Sequence, residues 1–194
     1  MVNEKELLLV GIASSAGGLK PLRELIEAAI CNKNMAYVVV PHLSRDYESN
    51  LPKILDRVTD LKIETIKDGL DIHPCHLYVL PPGFYARVVQ NKFVLDVRPE
   101  KGPNKSADVL FESLASEYKN NAIGVVLSGS SVGADGSEGV CLIKENEGHT
   151  FAQDPKGAEF PQMRNLAIST GCIDSVQSAN KIGQELSLVS FANS

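Results

Sequence analysis

The chain has 194 residues, of which 43% are hydrophobic and 22% charged, a composition typical of globular proteins and a length that suits one α/β domain. Its formal net charge of −5 lacks the basic excess of nucleic-acid-binding proteins, so we expect no nucleic-acid partner. No segment approaches the ~20 consecutive apolar residues that span a bilayer, so we expect no membrane insertion.

The cysteines and the first apolar run indicate the cellular compartment in which the protein resides. Four cysteines occur, far apart and without a C-x-x-C pair: Cys31, Cys75, Cys141 and Cys172. A chain of this size can bury enough apolar surface without disulfides, so we predict reduced thiols. Residues 7–13 are too short for a signal-peptide core and follow Glu4 and Glu6 instead of basic residues. These features predict a cytoplasmic protein.

Apolar runs alternate with segments of helical spacing along most of the chain, which predicts buried parallel strands joined by helices. In chain order we predict a strand at 7–12, a helix at 19–29, a strand at 35–40, a helix at 51–58, a strand at 77–80, a hairpin at 85–90 and 92–97, a helix at 107–118, a strand at 122–127, a helix at 137–147, a strand at 149–152, and helices at 161–170 and 182–189. The pattern predicts a single domain over residues 1–194 with a doubly wound, mainly parallel α/β sheet flanked by helices and an antiparallel hairpin.

Polar residues follow the predicted strands where they end. Ser14 and Ser15 leave the first strand, His42 leaves the second, and Asp135 follows the strand at 122–127 through a Gly- and Ser-rich loop. The carboxyl ends of parallel strands share one edge of the sheet, where the chemistry of such folds is found. We therefore expect a serine, a histidine and an aspartate at one edge.

These three residue types suit nucleophilic catalysis. A serine hydroxyl needs a base, and an imidazole base needs a carboxylate that orients it and stabilises its cation. Ser15 precedes Ala16, Gly17 and Gly18, small residues that let its oxygen stand clear at a strand-to-helix turn. The Ala16 N–H is the expected first oxyanion donor. This reading makes Ser15 the nucleophile, His42 the base and Asp135 the acid.

The same turn could instead bind a phosphate or a dinucleotide. Residues 11–16 fit G-x-G-x-x-G only with Ala13 in place of the second glycine, which lets a pyrophosphate approach. No acidic residue ends the second strand, and no G-K-[ST] occurs. The spacing alone leaves both readings open.

The other candidate residues have structural alternatives. Asp135 could cap the helix that begins near Ser137, and His42 could be an ordinary strand-end histidine. His73 and His76 flank Pro74 and Cys75, but this spacing matches no standard zinc site, so we expect no metal.

The order of the motifs resembles the catalytic domain of the CheB family of chemotaxis protein-glutamate methylesterases. The family's G-A-S-T-G-G is similar to the segment ending Ser14-Ser15-Ala16-Gly17-Gly18, and its Q-H-M/L is similar to Pro41-His42-Leu43. Its L-[ST]-G-M-G-x-D-G is similar to the segment from Leu127 to Gly136. Further matches are Y-V-L-P-P-G at 78–83, S-A-D-V-L-F-E-S-L-A at 106–115, and A-Q-D at 152–154 with Phe160 to Met163.

The resemblance implies hydrolysis of glutamate γ-methyl esters on the cytoplasmic helices of chemoreceptors, releasing methanol, with glutamine deamidation as a second activity. It places the nucleophile, base and acid on Ser15, His42 and Asp135 and implies no cofactor. It also implies an oxyanion donor in the aspartate loop, at Ser130 counting from Gly129 or at Val132 counting back from Asp135.

The sequence departs from the family pattern at three places. The loop before Asp135 is two residues longer, and Pro41 and Ala16 replace the usual residues beside the histidine and the serine. The family's receiver domain does not precede the matching segment, so we expect a free-standing esterase or part of a longer chain with a receiver or methyltransferase domain. The alternatives are a non-catalytic receptor-binding module, if the longer loop displaces Asp135 from His42, and an esterase with another protein substrate.

Overall fold

The computed structural model describes residues 7–15, 17–42, 49–129, 135–154 and 162–188. The strands of this part of the chain are β1 (Leu8–Ser14), β2 (Met35–Pro41), β3 (Lys62–Thr65), β4 (His76–Val79), β5 (Phe84–Val89), β6 (Lys92–Val97), β7 (Ala122–Val126), β8 (His149–Gln153) and β9 (Ser175–Gln177). Its α-helices are α1 (Leu19–Ala28), α2 (Leu51–Leu55), α3 (Ser106–Tyr118), α4 (Ser137–Glu145), α5 (Gln162–Ser169) and α6 (Ala179–Leu188), and a 3₁₀ turn covers Lys119–Asn121.

Seven strands form one sheet in the order β3-β4-β2-β1-β7-β8-β9, and every neighbouring pair in it is parallel. The remaining two strands, β5 and β6, pair antiparallel in a sheet of their own. The predicted α/β class, with a mainly parallel sheet flanked by helices and an antiparallel hairpin, is confirmed. The chain passes from β1 to β2 on one side and later adds β7 on the other, so the topology switches at the carboxyl end of β1.

Side chains of β1 supply apolar surface to both faces of the sheet. Leu9 and Ala13 pack into a core with Phe111 of α3, whereas Val10 and Ile12 pack into a second core that includes α1 and α6. All seven β1 residues are buried, as the continuous apolar run predicts. The strand that leads to Ser15 is therefore held between two hydrophobic layers.

Two short edge strands were not predicted from the sequence. β3 has a partly exposed burial pattern, and β9 has three residues of which Val176 is exposed. Neither carries the apolar run of a buried strand, so the pairing partner rather than local sequence sets its conformation.

The prediction of reduced thiols was wrong. The structure bonds Cys31 to Cys75 and Cys141 to Cys172, with Cα–Cα distances of 4.8 and 5.0 Å. Cys31 follows α1, and the N–H of Cys75 donates to the carbonyl of Met35 at the start of β2. Cys141 lies on α4, and Cys172 follows α5. The folded chain brings together cysteines that are 44 and 31 residues apart, which sequence spacing did not reveal.

None of the helices in the described ranges combines the length and the apolarity that a bilayer crossing requires.

Candidate active site

Three strand ends converge at the switch point of the sheet. β1 pairs with β2 up to Ser14 opposite Pro41, and the first residue after β2, His42, donates its N–H to the Ser14 carbonyl at 2.8 Å. On the other side Ala13 lies opposite Val126 of β7, whose chain continues to Ser128 and Gly129. The first residue after β1 is Ser15. The parallel register thus brings the ends of β1, β2 and β7 to one edge of the sheet.

Ser15 lies in a closely packed turn. Its N–H donates to the Ser128 carbonyl at 3.4 Å, and its own carbonyl accepts from Gly18 at 2.8 Å. A Cβ atom at Gly129 would lie 2.3 Å from the Cβ of Ser15, so only glycine allows the segments around Gly129 and Ser15 to approach this closely. Gly17 has a φ of 82°, a conformation that favours glycine. Gly129 therefore permits the close contact with Ser15, and Gly17 permits the positive φ two residues after it.

His42 and Asp135 form a short polar contact at this edge. The two residues are 93 positions apart in sequence, and the His42 Nε2–H donates to Asp135 Oδ2 at 2.5 Å. The side chains are 7% and 1% exposed. A histidine in such a buried contact is fixed in one orientation, with Nδ1 as its second ring nitrogen. The condition that favoured a non-catalytic module, Asp135 out of reach of His42, is not met.

Asp135 is also bound by the first turn of α3. The N–H of Ala107 donates to Oδ2 at 3.0 Å, and the N–H of Asp108 donates to Oδ1 at 2.9 Å. The carboxylate therefore caps α3 and does not cap α4, the helix that the sequence alternative assigned to it. An anion in this position is stabilised by the free N–H groups and by the helix dipole.

Asp108, which sequence reasoning did not single out as a site residue, binds the start of α4 in return. Its Oδ1 accepts from the N–H groups of Gly136 at 2.8 Å and Gly139 at 2.9 Å. Burial raises the pKa of Asp108 above its usual value, although hydrogen bonding from Gly139 opposes the shift. We call Asp108 and Asp135 the aspartate pair.

A second polar group, the arginine network, consists of Ser128, Gln153 and Arg164. Gln153 Oε1 accepts from the Ser128 N–H at 2.9 Å and from its hydroxyl at 2.5 Å, and Arg164 Nη1 donates to Ser128 Oγ at 3.1 Å. Arg164 lies on α5 with 0% exposure, and burial lowers its pKa while the charge of Asp154 opposes that shift. The preceding residue, Met163, donates its N–H to the Gly129 carbonyl at 3.3 Å. This network fixes the chain next to Ser15.

Arg164 was not predicted from the sequence, because an arginine in a short helix is usually exposed. Gln153 gave a usable signal, since it leaves β8 at the same edge as the other strand ends.

The three predicted oxyanion residues, Ala16, Ser130 and Val132, lie outside the described residues. Their assignment stays a prediction.

In the ranges that the structure describes, no three His, Cys, Asp or Glu side chains are placed to bind one metal ion. The rings of His73 and His76 are 5.6 Å apart, and His76 Nε2 lies 3.4 Å from Glu64 Oε1.

Comparison with known proteins decides the family. The sequence profile of the CheB methylesterases matches residues 10–186, nearly the whole chain. The chain belongs to the CheB methylesterase family. The matched range includes the ends of β1, β2 and β7 together with Ser15, His42 and Asp135.

The chain covers different shares of the lengths of its relatives. A Leptospira interrogans protein described as a putative protein-glutamate methylesterase/protein-glutamine glutaminase is 29% identical over 92% of both chains. A Sulfurimonas denitrificans protein-glutamate methylesterase/protein-glutamine glutaminase is 33% identical over 90% of this chain but only 50% of its own length. The chain thus spans nearly all of the first relative and about half of the second.

Among solved structures, the catalytic domain of the Thermotoga maritima CheB methylesterase is similar to this chain. The two superpose with a TM-score of 0.83 at 28% identity, covering 93% of this chain and 97% of the other. The fold is therefore that of a CheB catalytic domain.

Proposed function

We propose that this chain is a serine-type esterase that hydrolyses glutamate γ-methyl esters on the cytoplasmic helices of chemoreceptors and releases methanol. The observation that carries the proposal is the 2.5 Å contact between His42 and Asp135 at the sheet edge where β1 delivers Ser15. Membership of the CheB methylesterase family supports the substrate class. Relatives named both methylesterase and glutaminase support glutamine deamidation as a second activity.

In the first half of the reaction Ser15 Oγ attacks the ester carbonyl carbon. Since Asp135 contacts Nε2, Nδ1 is the ring nitrogen that accepts the Ser15 proton. The imidazolium that forms is stabilised by the Asp135 carboxylate, whose charge is held by the amino end of α3. The tetrahedral oxyanion is stabilised by N–H donors, for which Ala16 and either Ser130 or Val132 are our candidates. Its collapse breaks the C–O bond to the methoxy group, which takes the proton from His42 and leaves as methanol.

In the second half a water molecule attacks the acyl-enzyme and gives its proton to His42. Collapse of the second tetrahedral intermediate breaks the bond to Ser15 Oγ, which recovers its proton, and a glutamate carboxylate is released. For a glutamine substrate the same steps release ammonia in place of methanol.

The proposed substrate also indicates where the chain acts and what kind of domain would control it. Residues 1–194 form, in this proposal, a single catalytic domain that needs no cofactor and acts in the cytoplasm, where the receptor helices are reached. A receiver or methyltransferase domain in a longer chain would supply control.

Methanol release from methylated receptor tests the proposal. Ser15→Ala should reduce kcat by about 10⁶, as expected when a triad nucleophile is removed. Ser14→Ala is the matched control, because it replaces the neighbouring hydroxyl by the alanine that the family motif carries there. It should keep its rate. A Ser15→Ala variant with the wild-type rate would refute the assignment of Ser15, and a loss confined to Ser14→Ala would move the nucleophile to that residue.

A further inference from the structure

Asp108 and Asp135 exchange caps between two neighbouring helices. The Asp135 carboxylate accepts from the first turn of α3, and the Asp108 carboxylate, which lies in that turn, accepts from Gly136 and Gly139 at the start of α4. Gly136 directly follows Asp135. The residue that faces His42 is therefore fixed through its own carboxylate and through the peptide group that follows it.

The contact between the two helices leaves little space for another arrangement. A Cβ atom at Gly139 would lie 2.5 Å from the Cβ of Phe111 and 3.2 Å from the Cα of Asp108. Gly136 has a φ of 91°, which turns the chain from Asp135 into α4. The N–H groups of α4 thus meet the Asp108 carboxylate at direct hydrogen-bond distance.

The two members of the aspartate pair have different basic neighbours: a lysine contacts Asp108, and a histidine contacts Asp135. Lys105 Nζ lies 3.2 Å from Asp108 Oδ2 and 3.0 Å from Glu138 Oε2, so it offsets the charge of Asp108. On the other side Asp135 faces His42, the one basic side chain with a described contact to its carboxylate. Lys105 thus offsets the charge of the second buried carboxylate, Asp108, and the Asp135 carboxylate contacts the His42 imidazole.

We propose that Asp108 is a positioning residue for ester hydrolysis, which holds Asp135 in line with His42 by capping α4. It touches neither the reacting atoms nor His42, and it acts through the backbone at Gly136. The inference rests on the proposed function for its catalytic readout. If the cap is lost, the turn at 135–136 relaxes and the His42–Asp135 hydrogen bond loses its alignment, for which a displacement of about 1 Å can cost about 10²-fold in rate.

Two variants of Asp108 separate the cap from the charge. Asp108→Ala removes the acceptor of Gly136 and Gly139, so kcat should fall by about 10² while KM changes little. Asp108→Asn keeps an amide oxygen at the position of Oδ1, so it should restore kcat to within about tenfold of wild type. The partly exposed Lys105 can move away from the new amide group and keep its contact with Glu138.

The hydrogen bond itself gives a readout that does not depend on activity. The proton between His42 Nε2 and Asp135 should give a far-downfield resonance in the NMR spectrum of the wild type. Asp108→Ala should shift or broaden this resonance, and Asp108→Asn should retain it. Val140→Ala is the control for general destabilisation, because it truncates a buried side chain of α4 without removing a cap acceptor. It should lower the melting temperature and leave both kcat and the resonance unchanged.

Several outcomes would overturn the inference: Asp108→Ala with the wild-type rate and resonance, Asp108→Asn as impaired as Asp108→Ala, or a loss of kcat that Val140→Ala reproduces at equal stability. A wild-type chain without esterase activity would instead contradict the proposed function. The NMR comparison would still decide whether Asp108 positions Asp135.

Discussion

The aspartate pair and the arginine network lie beside the same strand ends but hold buried charge in different ways. The carboxylates of Asp108 and Asp135 accept from backbone N–H groups at the ends of α3 and α4, which the helices fix in direction. The guanidinium of Arg164 instead donates to the Ser128 hydroxyl, a side chain that Gln153 also binds. In the proposed mechanism the capped carboxylate of Asp135 must stay charged, whereas Arg164 only holds the chain at Ser128. We therefore expect changes to the first region to affect rate and changes to the second to affect stability.

Among changes to these two regions, Asp135→Asn has the largest expected effect. The amide cannot orient the imidazole and stabilise its cation as the carboxylate does, so kcat for methanol release should fall by about 10⁴. The measurement is the steady-state rate, with folding checked by circular dichroism. Asp174→Asn is the matched control, because Asp174 also accepts a backbone N–H, from Thr150, away from His42. Equal losses in the two variants would remove the distinction between catalytic and structural carboxylates.

The disulfides give the next largest effect, because Cys141–Cys172 joins α4, next to Asp135, to the segment that follows α5. Replacing both cysteines by alanine should reduce the free energy of unfolding by about 4 kcal/mol in the chain-entropy account, and the same holds for Cys31–Cys75. Urea titration measures both.

The two bridges differ in their expected effect on rate. Only loss of the Cys141–Cys172 bridge should also lower kcat, since Cys31–Cys75 lies near the start of β2, at the opposite end of that strand from His42. If neither variant loses stability, the bridges have no role in the folded chain.

Substitutions of Arg164 test the arginine network. Arg164→Ala removes a fully buried side chain and should reduce the free energy of unfolding by about 3 kcal/mol. Arg164→Met fills the space with an apolar chain and should cost less than about 1 kcal/mol, because replacing a buried charge by a similar apolar volume is often neutral. Denaturant titration and kcat are measured on both variants. A loss of kcat in Arg164→Met as large as that of Asp135→Asn would show that the guanidinium takes part in the reaction.

The smallest expected effect concerns pH and Asp174. Burial alone would raise the pKa of this carboxyl, but hydrogen bonds from Lys144 and Thr150 lower it below its ordinary value. A lowered pKa means that the ionised form stabilises the fold above the unfolded pKa of about 3.9 and that this stabilisation is lost as the pH falls through the folded pKa. The melting temperature of wild type should exceed that of Asp174→Asn at pH 7, and the difference should shrink below about pH 4. A constant difference down to pH 2 would contradict the linkage.

Hydrophobic patterning predicted most of the fold, because buried parallel strands need continuous apolar runs such as residues 7–12. The rule that strand carboxyl ends meet at one edge also predicted that His42 and Asp135 would come together, and the structure confirms that contact. The catalytic roles of Ser15, His42 and Asp135 remain predictions that the experiments above address.

The features that the sequence did not predict depend on contacts between distant segments. Asp108 has the pattern of an ordinary first-turn acidic residue, and only the approach of α4 makes it a cap for a second helix. Arg164 is polar by type and buried by position. Cys31 and Cys75 are separated by 44 residues, and only the folded chain brings their Cα atoms to 4.8 Å.

The strand order has a consequence for the way this chain becomes active. β1 pairs with β7, whose residues lie more than a hundred positions further along, and His42 meets a partner 93 residues away. We expect contacts of such long range to form late, because closing the long intervening loop costs entropy before the contact stabilises the chain. During refolding, helical circular dichroism should therefore recover before esterase activity, and the lag between the two signals would time the insertion of β7 beside β1.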